Sequence, residues 1–139
     1  MALFSWDDRY ALGHTQIDRE HEALFALARQ VLEAMDNGSS KPVVRDLFDR
    51  LINYTQLHFA HEETLMNEHR YSGTDAHMTE HRKFIGQVME FHRQFEADQL
   101  EIDTETLQFL RNWLYHHIRQ SDQLLVVHIR RRERVLTHT

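Results

Sequence analysis

Residues 57–66 read LHFAHEETLM, and this stretch decides how the rest of the chain is interpreted. It lies in a helix predicted over about residues 41–69, whose apolar side chains recur every three or four positions. Two polar residues, His58 and Glu62, stand on that apolar stripe where leucine or valine is expected. Because they are four residues apart, they project from one helix face, about 6 Å apart along the axis. The face therefore buries chelating groups together with hydrocarbon.

Three further helices are predicted from the same periodicity, over about residues 17–35, 75–96 and 104–128, with Asp103 or Thr104 capping the last. Proline occurs once and glycine four times, so little interrupts long helices. The connections are short or modest, which makes neighbouring helices antiparallel. The predicted fold is all-α: an up-down-up-down four-helix bundle.

The 139 residues are predicted to form a single domain. Residues 1–16 are expected to be an N-terminal arm, residues 17–128 the bundle, and residues 129–139 a basic C-terminal end. The arm is expected to pack four apolar side chains against the bundle. These are Phe4, Trp6, Tyr10 and Leu12.

Each of the four apolar stripes contains residues of the kind that bind metal ions. The set consists of His21 in the first helix, His58 and Glu62 in the second, His77 and His81 in the third, and His117 and Asp122 in the fourth. Burying one unpaired polar group costs about 2–7 kcal/mol, whereas a whole domain is stable by only about 5–15 kcal/mol. Seven such groups in one core therefore predict a metal centre that ligates them.

The spacing of the last pair differs from that of the others. His58 and Glu62 are four residues apart, but His117 and Asp122 are five apart. On an α-helix this separation corresponds to about 140° of rotation. Asp122 is therefore expected to reach the centre from the side.

The number of ligand atoms predicts two metal ions. Five histidines supply one nitrogen each, and two bridging carboxylates supply four oxygens. With one bridging oxygen from solvent, eleven of the twelve positions around two octahedral ions are filled. The remaining position suits a small neutral ligand such as dioxygen. Mixed imidazole and bridging carboxylate ligands favour iron, whereas zinc prefers four ligands.

The composition excludes several other classes of protein. Cysteine is absent, which rules out disulfides, thiolate zinc sites and cysteine-ligated iron–sulfur clusters. The formal net charge of −6 argues against general nucleic-acid binding. No apolar run approaches the roughly 20 residues of a membrane span, so membrane insertion is not expected. The start, MALFSWDDRY, lacks the basic region of a signal peptide, and the cytoplasm is the expected compartment.

The segments that carry the seven residues resemble the hemerythrin family, specifically its single-domain bacterial members, the bacteriohemerythrins. The resemblance covers nearly the whole chain. Its most specific motifs are IDREHEALF at 17–25, LINYTQLHFAHEETLM at 51–66, HMTEH at 77–81 and WLYHHIRQSD at 113–122. One departure is Leu125, where some relatives have a tyrosine, so a hydrogen bond near the centre is missing or comes from elsewhere.

The resemblance implies a role for each residue of the centre. Two iron ions, joined by an oxo or hydroxo bridge, would be the cofactor. One ion would be held by His77, His81 and His117, the other by His21 and His58, with Glu62 and Asp122 bridging them. The resemblance also implies an apolar pocket for dioxygen, lined by Leu24, Phe25, Phe59, Trp113, Leu114 and Ile118. The remaining histidines are expected to be structural or on the surface; His61 in particular should point away from the centre.

The expected function is reversible dioxygen binding by an oxygen carrier, store or local supplier, and not enzymatic catalysis. Three alternatives remain open. The protein could be an oxygen or redox sensor that acts through a separate partner. It could instead be a di-iron enzyme that reduces peroxide or nitric oxide, or a protein that stores or donates iron. The sequence does not identify a protein partner.

Overall fold

The structure is a computed structural model that describes residue 4, residues 6–99 and residues 104–137, apart from the side chains of residues 104 and 137. The described residues contain helices and no β-strand. The helices are α1 (Thr15–Asp36), α2 (Lys41–Glu68), α3 (Thr74–Glu96), α4 (Thr104–His117) and α5 (Gln123–Thr137). A short 3₁₀ helix, Asp8–Tyr10, precedes α1, and one π-helical turn, Ile118–Asp122, joins α4 to α5. The predicted helical segments of an all-α four-helix bundle are all present.

The helices pack so that two apolar clusters lie at different levels of the bundle. The larger cluster includes Leu24, Phe59 and Ile118, and the smaller one is built around Ile17 and Met66. Along α1, His21 lies between Ile17 and Leu24, and along α2, Glu62 lies between Phe59 and Met66. The chelating residues therefore form a polar layer between two apolar ones. No helix among the described residues is long and apolar enough to cross a membrane.

The first helix begins two residues earlier than the periodicity predicts, at Thr15 instead of Ile17. His14 caps it, because its Nδ1 accepts a hydrogen bond from the backbone N–H of Ile17 at 3.2 Å. Histidine is not among the residues usually preferred at this position, which is why the sequence did not reveal the cap. The third helix likewise begins at Thr74, with Gly73 at the cap position.

The N-terminal arm lies on α1. Phe4 is buried, and the rings of Phe4, Trp6 and Tyr10 each meet the ring of Phe25 edge to face, with centroids 5.6–6.2 Å apart. Leu12 also packs against the core. Residues 1–3 and 5 of the predicted arm lie outside the described residues. The arm thus adds four apolar side chains to the bundle.

A carboxylate in the first turn of α1 fixes the chain that enters it. Asp18 accepts hydrogen bonds from the backbone N–H groups of Leu12 at 2.8 Å and Gly13 at 3.1 Å. Gly13 has a φ of +91°, a conformation that side chains with a Cβ rarely adopt. The sharp turn at Gly13 therefore directs both N–H groups toward Asp18.

The π-helical turn corrects the expected geometry of His117 and Asp122. The backbone N–H of Gln123 bonds to the carbonyl of Ile118, five residues earlier, so this turn contains one residue more than an α-helical turn. A residue five positions ahead consequently returns to the face that a residue four ahead occupies on an α-helix. Asp122 therefore projects from the same face as His117 and does not approach from the side.

Helical structure continues into the predicted basic C-terminal end. The helix α5 runs to Thr137, and Ile129 is fully buried beside Leu125 and Val126. The predicted cap at Asp103 and the last two residues, 138 and 139, lie outside the described residues.

Replacing Asp18 with alanine tests how the arm is held. The change leaves two backbone N–H groups without their charged acceptor, so we expect a loss of about 1–3 kcal/mol in the free energy of unfolding. Asp46→Ala is the control, because Asp46 is exposed and pairs with the exposed Arg50, and it should change stability by less than about 0.5 kcal/mol. Equal effects of the two substitutions in urea unfolding would contradict this role of Asp18.

Candidate metal centre

The structure brings all seven predicted chelating residues together in the polar layer of the bundle. Each is at most 4% exposed. The helix α1 contributes His21, α2 contributes His58 and Glu62, and α3 contributes His77 and His81. The end of α4 contributes His117, and the π-helical turn that follows it contributes Asp122. One turn from each of the four helices therefore meets at a single level.

The seven residues form two overlapping groups, each able to hold a metal ion. One group contains three histidines, His77, His81 and His117, and the other contains two, His21 and His58. The carboxylates Glu62 and Asp122 belong to both groups. Within each group, the candidate ligand atoms all lie within 4.8 Å of one another.

Glu62 places one carboxylate oxygen in each group. Its Oε2 lies 3.0 Å from Nε2 of His58, in the group with two histidines. Its Oε1 lies 2.9 Å from Nε2 of His81, in the group with three. A carboxylate in this orientation can bridge two ions, one through each oxygen.

Asp122 likewise places one carboxylate oxygen in each group. Its Oδ2 lies 2.9 Å from Nε2 of His21, and its Oδ1 lies 3.0 Å from Nε2 of both His77 and His117. The π-helical turn is what brings this side chain inward. Two carboxylates thus connect the same two groups of histidines.

The spacing of the imidazole nitrogens tests whether a metal ion fits. Nε2 of His117 lies 3.0 Å from Nε2 of His77 and 3.0 Å from Nε2 of His81. With metal–nitrogen bonds of about 2.1 Å, ligands 90° apart in an octahedron lie about 3.0 Å from each other, and tetrahedral ligands about 3.4 Å. The observed separation matches neighbouring ligands of an octahedral ion.

The hydrogen bonding of the layer gives a second test. Within the described residues, nine side-chain nitrogen and oxygen atoms of the seven residues are buried and have no hydrogen-bond partner. They include both oxygens of Glu62, both oxygens of Asp122 and both nitrogens of His21. Buried polar groups without a partner destabilise a fold unless something else satisfies them. Metal ions would satisfy the four carboxylate oxygens and the Nε2 atoms at once.

Comparison with known proteins identifies the family. The family model described as the hemerythrin HHE cation binding domain matches residues 12–129. The chain belongs to the hemerythrin family. A bacteriohemerythrin of Stenotrophomonas maltophilia is 34% identical over 123 residues, which cover 88% of this chain and 79% of that protein. A bacteriohemerythrin of Methylococcus capsulatus is 30% identical over 125 residues, covering 89% of this chain and 95% of that protein.

Solved hemerythrin structures share the fold. A crystal structure of wild-type hemerythrin aligns with a TM-score of 0.85 at 27% identity, over 90% of this chain and 96% of that one. A crystal structure of an alanine variant of hemerythrin aligns with a TM-score of 0.87 at 28% identity, over 93% of this chain and 98% of that one. The resemblance drawn from the motifs is thereby confirmed.

Electrostatic interactions pair the histidines of the layer with its carboxylates. Burial alone lowers the pKa of His58, but the charge of Glu62 and a hydrogen bond to Glu20 outweigh it and raise the pKa to about 10. Burial likewise lowers the pKa of His77, but its close contacts with Asp122 and Glu62 raise it to about 9. The charge of His58 and the contacts with His117 and His21 hold the pKa of Glu62 well below its usual range, against the effect of burial. Without metal, His58 and His77 therefore retain their protons at neutral pH.

Three further carboxylates lie behind the histidines, and the sequence analysis did not assign Glu20 or Glu80. Oε1 of Glu20 lies 2.7 Å from Nδ1 of His58, and Oε2 of Glu63 lies 2.9 Å from Nδ1 of His81. Oε1 of Glu80 is 3.6 Å from Nδ1 of His117, too far for a direct hydrogen bond. The side chain of Glu63 is 28% exposed, so it contacts both His81 and solvent.

The carboxylates that contact Nδ1 of the histidines could have been sought in the sequence. An imidazole that binds metal through one nitrogen usually donates the other N–H to a carboxylate, a carbonyl or water. Glu20 directly precedes His21, and Glu63 directly follows Glu62. Acidic neighbours of predicted ligands were thus candidates for this role, although their rotation about each helix was needed to choose among them.

Two aromatic residues of the predicted pocket cover histidines of the larger group. The ring of Phe59 stacks on His81, with centroids 3.8 Å apart and an angle of 4° between the planes. Trp113 stacks on His117 at 4.5 Å and 14°. The faces of both imidazoles are therefore shielded from water.

The other predicted pocket residues also lie in the apolar cluster that adjoins the centre. Leu24, Phe25, Leu114 and Ile118 are buried, and Trp113 is half-buried. Leu114 additionally borders a small cavity of about 10 Å³, which the sequence analysis did not predict. The remaining residues around the cavity are Ala28, Leu51, Ile52, Thr55, Phe84, Val88 and Leu110.

The raised pKa values predict that pH has opposite effects on the stability of the metal-free protein and on its affinity for metal. In the metal-free protein, protonated His58 stabilises the fold below pH 6.5, and this contribution is lost as the pH rises through about 10. The unfolding free energy of the metal-free protein should fall as the pH rises over this interval, by up to about 1.4 kcal/mol per pH unit for each such histidine. Metal binding must displace the same protons, so the affinity for metal should rise with pH.

Thermal unfolding of both forms between pH 6.5 and 9 measures this divergence. The stability gained from ferrous iron under argon should increase with pH, whereas the metal-free protein should become less stable. A metal-free protein that gains stability over the same interval would contradict the assigned imidazole–carboxylate pairs.

Proposed function

We propose that this protein binds dioxygen reversibly at a pair of iron ions and serves as an oxygen carrier, store or local supplier. One observation carries the proposal: each of two buried carboxylates turns one oxygen toward a group of three histidines and the other toward a group of two. This arrangement suits two ions held side by side. Membership of the hemerythrin family supports the same reading.

The seven side chains would hold the ions as follows. His77, His81 and His117 would bind one ion, His21 and His58 the other, and Glu62 and Asp122 both, with an oxo or hydroxo group as the remaining bridge. Imidazole and carboxylate ligands near octahedral spacing fit iron. When bound, the two ions supply the pair of electrons that dioxygen accepts on binding and returns on release.

The unequal number of histidines supports a proposal for the dioxygen site. The group of two offers one ligand fewer, so the ion held by His21 and His58 is proposed to accept dioxygen. The buried side chains of Leu24 and Phe25 follow His21 by three and four residues, which places them on the same face of α1. They are suited to exclude water from this side of the layer.

A binding role is favoured over catalysis by the side chains around the layer. Among the described residues, the acidic groups that flank the histidines already accept hydrogen bonds: Glu20 from His58, Glu63 from His81, and Glu80 from Ser121. The cavity beside Leu114 is lined almost entirely by hydrocarbon. A reaction that needs a mobile proton donor has no evident source for it there. We therefore propose that the protein is not an enzyme.

The direct test is reversible oxygenation. Protein loaded with ferrous iron under argon should develop visible absorption bands when air is admitted, and the bands should disappear when oxygen is removed. Several cycles without loss of amplitude would support reversible binding. Irreversible bleaching in the first cycle, or turnover of peroxide or nitric oxide well above that of free iron, would favour an enzyme instead.

A polar substitution at Leu114 tests the role of the apolar wall. Leu114→Gln admits water and protons near His117, one helical turn away, so autoxidation of the oxygenated protein should accelerate by about tenfold or more, equivalent to about 1.4 kcal/mol of barrier. The control is Leu124→Gln, because Leu124 is 62% exposed and its replacement should leave the rate unchanged. The decay of the visible bands measures both rates; equal rates would remove Leu114 from the pocket.

A further inference from the structure

Glu20 connects two histidines of α2 to α1. One oxygen, Oε1, lies 2.7 Å from Nδ1 of His58, and the other, Oε2, lies 2.5 Å from Nδ1 of His61. Gln16, one turn earlier on α1, approaches the same Oε2 at 3.4 Å. The carboxylate therefore has partners on both oxygens and from both helices.

His61 points away from the centre, as expected, and its Nδ1 contacts Glu20. His58 and His61 are three residues apart and share one face of α2, so a single carboxylate on α1 reaches both. Because Glu20 directly precedes His21, the same turn of α1 holds one histidine of the smaller group and orients the other.

The contact with Glu20 also determines which nitrogen of His58 is available. A carboxylate accepts hydrogen bonds, so Nδ1 of His58 must carry the proton. Its Nε2, which lies 3.0 Å from Oε2 of Glu62, is then the nitrogen that a metal ion can bind once it displaces the second proton. The neighbouring histidine of this group, His21, has no such support, since its Nδ1 has no hydrogen-bond partner among the described residues.

The carboxylates behind the group of three histidines are more exposed to solvent than Glu20. The side chain of Glu20 is 11% exposed, compared with 28% for Glu63 behind His81 and 45% for Glu80 near His117. Charge–dipole and hydrogen-bonding effects weaken as solvent screens them. Glu20 should therefore act on its histidine more strongly than Glu63 acts on His81.

We propose that Glu20, anchored by His61, is the positioning residue that holds His58 ready for the ion bound by two histidines. The inference rests on the proposed function, because it assigns Glu20 to the ion that accepts dioxygen. Glu20 does not touch that ion; it fixes the proton and the ring orientation of a ligand that does. The hydrogen bonds from His58 and His61 of α2 to Glu20 of α1 therefore serve the binding site as well as the fold.

Measuring the affinity for each of the two ions separately distinguishes this role from a purely structural one. Anaerobic titration with Co²⁺ against a competing chelator should show two ions bound by the unmodified protein. In Glu20→Gln, which keeps the side chain's shape but loses its charge, one step should weaken by about 10–100-fold and the other should change by less than about twofold. The metal-free variant should keep its helical circular dichroism.

Glu63→Gln is the matched control for the other group. It should weaken the step that Glu20→Gln leaves intact, and the double variant should weaken both. A Glu20→Gln protein that binds both ions with unchanged affinity would overturn the proposal. So would equal weakening of both steps, which is the result expected if Glu20 only links the two helices.

His61→Gln provides a second variant that keeps the core intact, because the side chain of His61 is 37% exposed. Loss of the anchor should weaken the same step as Glu20→Gln, by a smaller factor, and leave the other step unchanged. Unchanged affinity at both steps would remove His61 from the arrangement. If the unmodified protein binds no Co²⁺, the proposed function fails; if it binds two ions and the variants match it, only the role of Glu20 fails.

Discussion

A layer of chelating side chains, buried in the middle of a hydrocarbon core, is the constraint on which this structure depends. Five imidazoles and two carboxylates lie between an apolar cluster that includes Leu24 and a second one around Ile17. Among the described residues, nine of their buried nitrogen and oxygen atoms have no hydrogen-bond partner, and the cost of leaving such groups unpaired is comparable to the stability of a whole domain. Their presence is understandable if binding energy from metal ions becomes part of the folding energy.

Three segments of the bundle each place a pair of chelating residues one helical turn apart, on the face that points inward. His58 with Glu62 and His77 with His81 are pairs separated by one α-helical turn, so both members face inward. The fourth helix achieves the same result with an additional residue, because its π-helical turn returns Asp122 to the face of His117. Such turns interrupt the regular hydrogen bonding of a helix and are frequent at functional sites. Here the turn allows a carboxylate to reach both groups of histidines.

The four helices and the seven inward residues could be predicted because both depend on periodicity along a single chain. The π-helical turn could not, since the sequence alone does not specify which turn absorbs an additional residue. The link from Glu20 to His61 was also missed: it requires the relative rotation of α1 and α2, which local patterns do not determine. His14 as a cap was missed for a different reason, namely that histidine seldom takes that position. The missed features are thus of two kinds: a contact between helices, and local departures from the usual helix patterns.

The proposed function requires the polar layer to hold two iron ions. Iron analysis of protein that has been reconstituted with ferrous iron under argon, then freed of loosely bound metal, measures this number. We expect two iron ions per chain, with Mössbauer spectra of six- and five-coordinate high-spin ferrous ions. A protein that folds normally, with native helix content and cooperative unfolding, yet retains no iron or a single ion would contradict it.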